Sequence, residues 1–377
     1  MILYLTYNDQ PSGVYWSQVT DVVAHLNTLG GPRVRLLALV SGRDYFAIRR
    51  KIRQHSPDAL VLPMVPRMKR WRANAAIVNA ACRLLRPGML IARGALGTWM
   101  ALRARDKGLV RKVCFDARGA YAAEWKEYRI VDDEALIAQF PEVEREVVTR
   151  SDFHIAVSNA LVAHWREQYA YTGTDHVVIP CTLASSHLAV AKDPGTAREE
   201  LGFRPDDVVL VYAGSTAGWQ SFSLLEAMLR PVLDAQPHIK LLFLSPPSAD
   251  IQALANAYLG RVVNTWVPAA KVPAVLRAGD VALLVREDST TNRVASPTKF
   301  AEYLVCGLPV IISAHIGDFS ALVRQQQLGL VHAEGGPLPT LERPTTEQRE
   351  RYRDFALAHY SKAAYDAAYR RLLEMSA

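Results

Sequence analysis

Residues 296–310 read SPTKFAEYLVCGLPV, and the order of the chain around them follows from this stretch. Pro297 suits the first turn of a helix, where its missing N–H would have no partner anyway, and Ser296 before it suits the cap. Lys299 and Glu302, three residues apart, share one face of that helix. Gly307 ends it, and Leu308-Pro309-Val310 begins a β-rich run. Upstream, Val281–Val285 is another apolar run, so loop Arg286–Ala295 delivers the helix N-terminus to the carboxyl end of a strand. In open α/β sheets that edge is where ligands bind. A helix N-terminus attracts phosphate, and a lysine in its first turn adds a full charge. A carboxylate one turn on can accept hydrogen bonds from ribose hydroxyls. A solvated Lys–Glu pair on a surface helix has the same spacing, so the residues alone leave both readings open.

The same alternation runs outward in both directions. Apolar β-rich runs at Ile2–Tyr7, Val34–Ser41, Ala59–Val65, Met89–Ala92, Val110–Asp116 and Phe153–Val157 alternate with helical patterns, and Ser158 is placed to cap a helix reaching Tyr169. Residues 182–206 carry little periodic signal and contain Pro194, Gly195 and Pro205, which marks a linker. A second series starts with Val208–Ala213 and Gly214 and continues through Ile239–Ser245, Val262–Val267, Val281–Val285 and Pro309–Ser313. Strands alternating with helices form parallel sheets covered on both faces. The expected fold class is α/β: two Rossmann-like, doubly wound domains with a ligand cleft between them. The expected bounds are 1–185 and 186–345, with helices over 346–377 crossing back toward the first domain. That crossing rests on the helical pattern of Phe355, Leu357, Ala358, Tyr360, Ala363, Ala364, Ala367, Ala368, Leu372 and Leu373.

Half of the 377 residues are hydrophobic and 21% are charged, which is material for two cores. No uncharged apolar run approaches the roughly 18 residues of a membrane span. The start MILYLTYNDQ lacks a basic n-region and a cleavage site. Cys82, Cys114, Cys181 and Cys306 lie far apart and read as small core residues. A cytoplasmic protein is expected. No HExxH, CxxC or EF-hand spacing occurs, so no metal site is expected. The net charge of +7 is uneven, with +8 in residues 1–185 and −1 in the rest. Residues 43–86 hold 11 basic side chains against two acidic ones, Asp44 and Asp58. Arg49, Arg50, Lys51 and Arg53 cluster on one helix, while Arg67, Lys69, Arg70 and Arg72 flank Met68 and Trp71. Cations interleaved with apolar side chains suit an anionic membrane surface. A solvated basic face, or a cradle for a soluble anionic glycan, has the same composition. No nucleic-acid recognition motif accompanies the charge, so nucleic acid is not an expected partner.

The run SPTKFAEYLVCGLPVI resembles the donor-binding segment of GT-B glycosyltransferases, in particular the retaining enzymes of glycosyltransferase family four. The resemblance extends over most of the chain. VLVYAGSTAGWQSF is similar to the first strand and Gly-rich loop of that family's C-terminal domain, and RAGDVALLVRED to the strand before its donor loop. RSDFHIAVSNALVAHW and VVIPCTL are similar to the end of its N-terminal domain. The resemblance implies transfer of a hexose-like unit, with retention, from a nucleoside diphosphate sugar to an acceptor hydroxyl; a metal ion is not needed if lysine, arginine and a helix dipole stabilise the leaving diphosphate. It implies no cofactor beyond that donor substrate, and a glycan or lipid-linked acceptor on the N-terminal domain.

Residue by residue, it implies that Lys299 holds the diphosphate and assists its departure, and that Glu302 binds the ribose. Gly214 and Ser215 would lie against the phosphates, and the nucleobase would sit at Trp266–Pro268. The chain departs from the family pattern at Val294, where a second glutamate is usual; Glu287, Asp288, Asn292 and Arg293 are the candidates to replace it. It also has Ser215 and Trp219-Gln220 where basic residues are common, so Lys299, Arg293 and the helix N-terminus would supply more of the positive charge. In the first half, Gly13 lies in a small-residue loop after the first strand, which resembles the family's meeting point of donor and acceptor and also fits an ordinary tight turn. Arg93, Asp116 and Arg118 follow strand ends where relatives often place a histidine. They are candidates for the catalytic face, and Asp116–Arg118 also fits an internal ion pair. Glu124 and Glu127 are possible acceptor contacts. A sugar-nucleotide epimerase of the same architecture and a non-catalytic nucleotide- or glycan-binding module are the rival readings.

Overall fold

The computed structural model describes residues 1–188, 196–214 and 221–376. The chain forms two compact units, Met1–Ala184 with Lys362–Ala377, and Ser185–Ser361.

The first unit is built on seven parallel strands: β1 (Ile2–Tyr7), β2 (Val34–Val40), β3 (Leu60–Pro63), β4 (Met89–Arg93), β5 (Lys112–Asp116), β6 (Phe153–Ala156) and β7 (His176–Val178). Their order is β3-β2-β1-β4-β5-β6-β7. Every residue of β1 is buried, as a strand covered by helices on both faces must be, and this is why its sequence is apolar without alternation. Ile2 of β1 lies opposite Val34 of β2 and Met89 of β4. The order reverses between β1 and β4, which makes the crevice at their carboxyl ends the topological switch point. Ser158 caps the helix Asn159–Tyr169 by accepting from Leu161 N at 3.0 Å.

The second unit holds β8 (Val208–Ala213), β9 (Ile239–Leu244), β10 (Val262–Thr265), β11 (Val281–Leu284), β12 (Val310–Ser313) and β13 (Gly329–His332). They are ordered β10-β9-β8-β11-β12-β13, so the switch point lies between β8 and β11. The strand β13 extends the sheet beyond β12, where the sequence pattern placed its end. It is four residues long and opens on Gly329, whose φ of +147° only glycine adopts freely; a Cβ there would sit 2.0 Å from the Val310 carbonyl oxygen.

Of the C-terminal segment, the turn Lys362–Tyr365 and the helix Asp366–Glu374 join the first unit. Tyr369, Leu372 and Leu373 of the helix Asp366–Glu374 enter its core beside Ile2, Tyr4 and Val177. The helix Thr346–Tyr360 stays with the second unit, because its buried face of Tyr352, Ala356 and Tyr360 packs on the helix Thr298–Val305. The Tyr360 ring meets Phe300 and Phe319 edge-on at 5.7 and 5.8 Å. The boundary expected at 346 therefore falls at Lys362, where Ser361 turns to extended backbone.

Candidate functional site

In the second unit the carboxyl ends of β8 and β11 flank the switch point, and Gly214 directly follows β8 with a φ of +141°. The helix Thr298–Val305 is tied to the end of β8, because Ala213 N donates to the Tyr303 hydroxyl at 3.0 Å. Pro297 rather than Ser296 occupies the cap position and makes no side-chain cap bond. The first-turn N–H groups thus have no side-chain acceptor at the cap, which leaves them suited to an anion.

Lys299 Nζ donates to Glu302 Oε2 at 2.7 Å on the face of this helix. Burial raises the Glu302 carboxyl, but Lys299, His187 and the Lys299 hydrogen bond outweigh it and hold the group below its ordinary value. His187, on the short helix Ser185–Leu188, packs against the same helix. It is 7% exposed, and among the described residues neither ring nitrogen has a hydrogen-bond partner. Burial lowers its pKa, which keeps it a neutral imidazole with one donor and one acceptor. Nothing in the sequence singled it out, since it stands alone in the stretch read as a linker.

The loop between β11 and this helix is built from within. Asn292 is fully buried; its Nδ2 donates to the Glu287 carbonyl at 3.1 Å and its Oδ1 accepts from Arg286 Nη1 at 3.3 Å. The amide of Asn292, expected to touch a donor, is engaged in shaping the loop. Gly317 N donates to the Asn292 carbonyl at 3.0 Å, and a Cβ on Gly317 would lie 2.0 Å from the Ala295 carbonyl oxygen, so the chain approaches the loop as closely as only glycine allows. Val294 is buried. Arg293 is exposed and chelates Asp288 at 2.6 and 2.8 Å, which holds the Asp288 carboxyl below its usual range. A cavity of about 650 Å³ opens beside this loop, with Arg286, Asp288, His315 and His332 in its lining. Lys299 and Glu302 lie outside that lining. Trp266 follows the outermost strand, β10, and is 64% exposed. Ser215, Trp219 and Gln220 lie outside the described residues.

In the first unit the switch-point crevice carries a charge cluster. Asp116, at the end of β5, is 0% exposed. It accepts from the Tyr4 hydroxyl and pairs with Arg118 Nη2 at 2.8 Å and Arg93 Nη1 at 3.9 Å. The carboxylate expected to be catalytic is thus enclosed by a phenol and two guanidiniums. Arg93 has an 11% exposed side chain and also approaches Asp9 at 3.7 Å. Burial and Arg118 would lower its pKa, but Asp9, Tyr4 and Asp116 raise it on balance, so it is a permanent cation. Burial raises the Asp9 carboxyl against the pull of Arg93; the sequence showed Asp9 only as a turn residue. Gly13 opens the first helix with an open surface where a Cβ would go, so no close approach within the chain requires a glycine there. Glu124 lies half-buried on the helix Tyr121–Tyr128, its carboxyl pushed up to about 7 by burial and then by Glu127. His154 is a core residue, its Nε2 2.8 Å from the Val148 carbonyl.

Among the described residues no group of three or more His, Cys, Asp or Glu side chains is placed to hold a metal ion, and no helix is long and apolar enough to cross a membrane.

No protein-family profile matches the chain. D-inositol 3-phosphate glycosyltransferase of Segniliparus rotundus is 25% identical over 197 residues, which cover 50% of this chain and 42% of that protein. The chain therefore matches less than half the length of this curated relative. Sucrose-phosphate synthase from Thermosynechococcus elongatus has a TM-score of 0.70 at 15% identity, over 99% of this chain and 98% of that one. Anabaena HepE in complex with UDP-glucose has a TM-score of 0.71 at 13% identity, over 99% of both chains. At such identities the likeness is one of fold, and it extends from end to end: the chain has the GT-B fold, two Rossmann-like units each wound on a parallel sheet.

Proposed function

We propose that this protein is a glycosyltransferase that moves a sugar, with retention and without a metal ion, from a nucleoside diphosphate sugar to an acceptor hydroxyl. The Lys299–Glu302 pair at the opening of a helix beside a topological switch point carries this reading. The solved structure of HepE with UDP-glucose supports such a donor by analogy of fold. Lys299 leaves its bond to Glu302 to bind the diphosphate, and the freed carboxylate accepts from the ribose hydroxyls. The neutral His187 donates to a further donor oxygen. As the bond from the anomeric carbon to the diphosphate breaks, Lys299 and the helix N-terminus stabilise the departing charge. The acceptor oxygen bonds to the same carbon on the face the diphosphate leaves, and its proton passes to the departing diphosphate oxygen, which gives retention. Arg93 and Glu124 of the first unit are the acceptor-side groups, with Asp116 fixing Arg93. Incubation with a panel of nucleotide sugars should release nucleoside diphosphate only when an acceptor is supplied, at a rate unchanged by EDTA. Sugar and nucleotide released without acceptor would point to an epimerase instead, and loss of activity on chelation would end the metal-free mechanism.

The acceptor proposed is lipid-linked, in glycan or glycolipid assembly at the cytoplasmic face of a membrane. Phe46, 80% exposed, shares one face of the helix Tyr45–His55 with Arg49, Arg50 and Arg53. An apolar ring among cations suits a headgroup layer. Trp71 does not contribute: it is buried edge-on against Trp99 at 4.9 Å, with Arg72 over its ring. Flotation with anionic but not neutral vesicles is expected, and should be lost on Phe46→Glu with Arg50→Glu. Equal recovery with both vesicle types would leave a soluble acceptor.

A further inference from the structure

The amino end of the second sheet holds a cavity of about 330 Å³ that the proposed donor site does not use. Five arginines line it: Arg198, Arg277, Arg343, Arg349 and Arg353. They come from separate parts of the sequence, and the fold gathers them around Asp280, which precedes β11 and is fully buried. Arg198 Nη1, Arg349 Nη2 and Arg343 Nε reach its two oxygens at 2.9, 2.6 and 3.2 Å. One carboxylate thus serves three guanidiniums. Glu350 is the carboxylate in the lining itself, while Asp280 lies buried behind it, so five cations are set against two anions. Arg353 lies half-buried in the same lining. Burial, together with Arg343, Arg198 and Arg277, holds Arg349 below its usual range despite Asp280.

The helix Thr346–Tyr360 adds to this charge. Thr346, Arg349, Glu350 and Arg353 stand at i, i+3, i+4 and i+7 and share the face that lines the cavity. The positive end of the helix dipole opens there as well. Guanidinium forks match phosphate oxygens two at a time, and a cavity of this size suits a small solute. Val305, Cys306 and Gly307 in the lining form the end of the helix whose first turn carries Lys299. The cavity and the proposed donor site therefore lie at opposite ends of one helix, about 12 Å long at 1.5 Å per residue.

We infer that this cavity binds a small phosphoryl-bearing anion, separately from the donor. Inorganic pyrophosphate titrated into Lys299→Ala protein at low ionic strength reads this site with the donor site disabled. Arg353→Glu in that background should weaken binding about tenfold or more, as the loss of a charge-assisted contact implies. Arg343→Gln, which leaves Arg198 and Arg349 on Asp280, should weaken it in the same direction. A parallel flotation with phosphatidic acid vesicles identifies the source of the phosphate. Lost pyrophosphate binding with unchanged flotation assigns the site to a soluble anion; lost flotation assigns it to a lipid headgroup. Pyrophosphate affinity and flotation that are both unaffected by both substitutions would overturn the inference.

Discussion

Replacing Lys299 with alanine is expected to weaken nucleoside diphosphate binding by about 1.5–3 kcal/mol, the range for a hydrogen bond to a charged group. That is roughly ten- to a hundredfold in Kd, readable by calorimetry. The same substitution removes the partner that holds Glu302 below its ordinary value of 4.5. A carboxyl with a lowered folded pKa contributes stability that is fully present above 4.5 and is lost as pH falls through the folded value. The stability gap between wild type and Lys299→Ala should therefore be open at pH 7 and narrow as pH falls below 4.5 toward the lowered folded value. Glu302→Gln should show the same closing gap. Unchanged affinity in both variants would remove the donor assignment, whatever the stability curves show.

Asp116→Ala should destabilise the first unit by about 3–5 kcal/mol, because it strands buried guanidiniums without their counter-charge. Arg118 and Arg93 both depend on this carboxylate, and Tyr4 loses its acceptor. For a unit of this size, each kcal/mol lowers Tm by roughly 2–4 °C, so thermal unfolding should shift down by about 6–20 °C. Tyr4→Phe keeps the ion pairs and should cost far less. A Tm within about 2 °C of wild type for Asp116→Ala would show that the cluster is solvated and carries little of the unit's stability.

The alternation of buried strands and helices was legible because each parallel strand is covered on both faces and must be apolar along its length. Val208–Ala213 and Ile2–Tyr7 announce themselves in this way. The strand β13 did not, since it is short, lies at the sheet edge and begins with a glycine. Lys299 and Glu302 were legible because an i, i+3 pair on a helix is a local feature. Asn292, Asp116 and Trp71 were named for their chemistry, but burial decides their roles, and burial depends on elements distant in sequence. The same limit hid His187, Asp9 and the arginines around Asp280. Each acquires its partners or its isolation only when elements far apart in the chain become neighbours.

A crystal structure of the protein with a nucleoside diphosphate sugar tests the central claim most directly. The diphosphate should lie at the opening of the helix Thr298–Val305, with Lys299 Nζ within about 3 Å of a phosphate oxygen, Glu302 released to the ribose hydroxyls and His187 hydrogen-bonded to the ligand. A nucleotide bound elsewhere, with the Lys299–Glu302 bond intact, would contradict it.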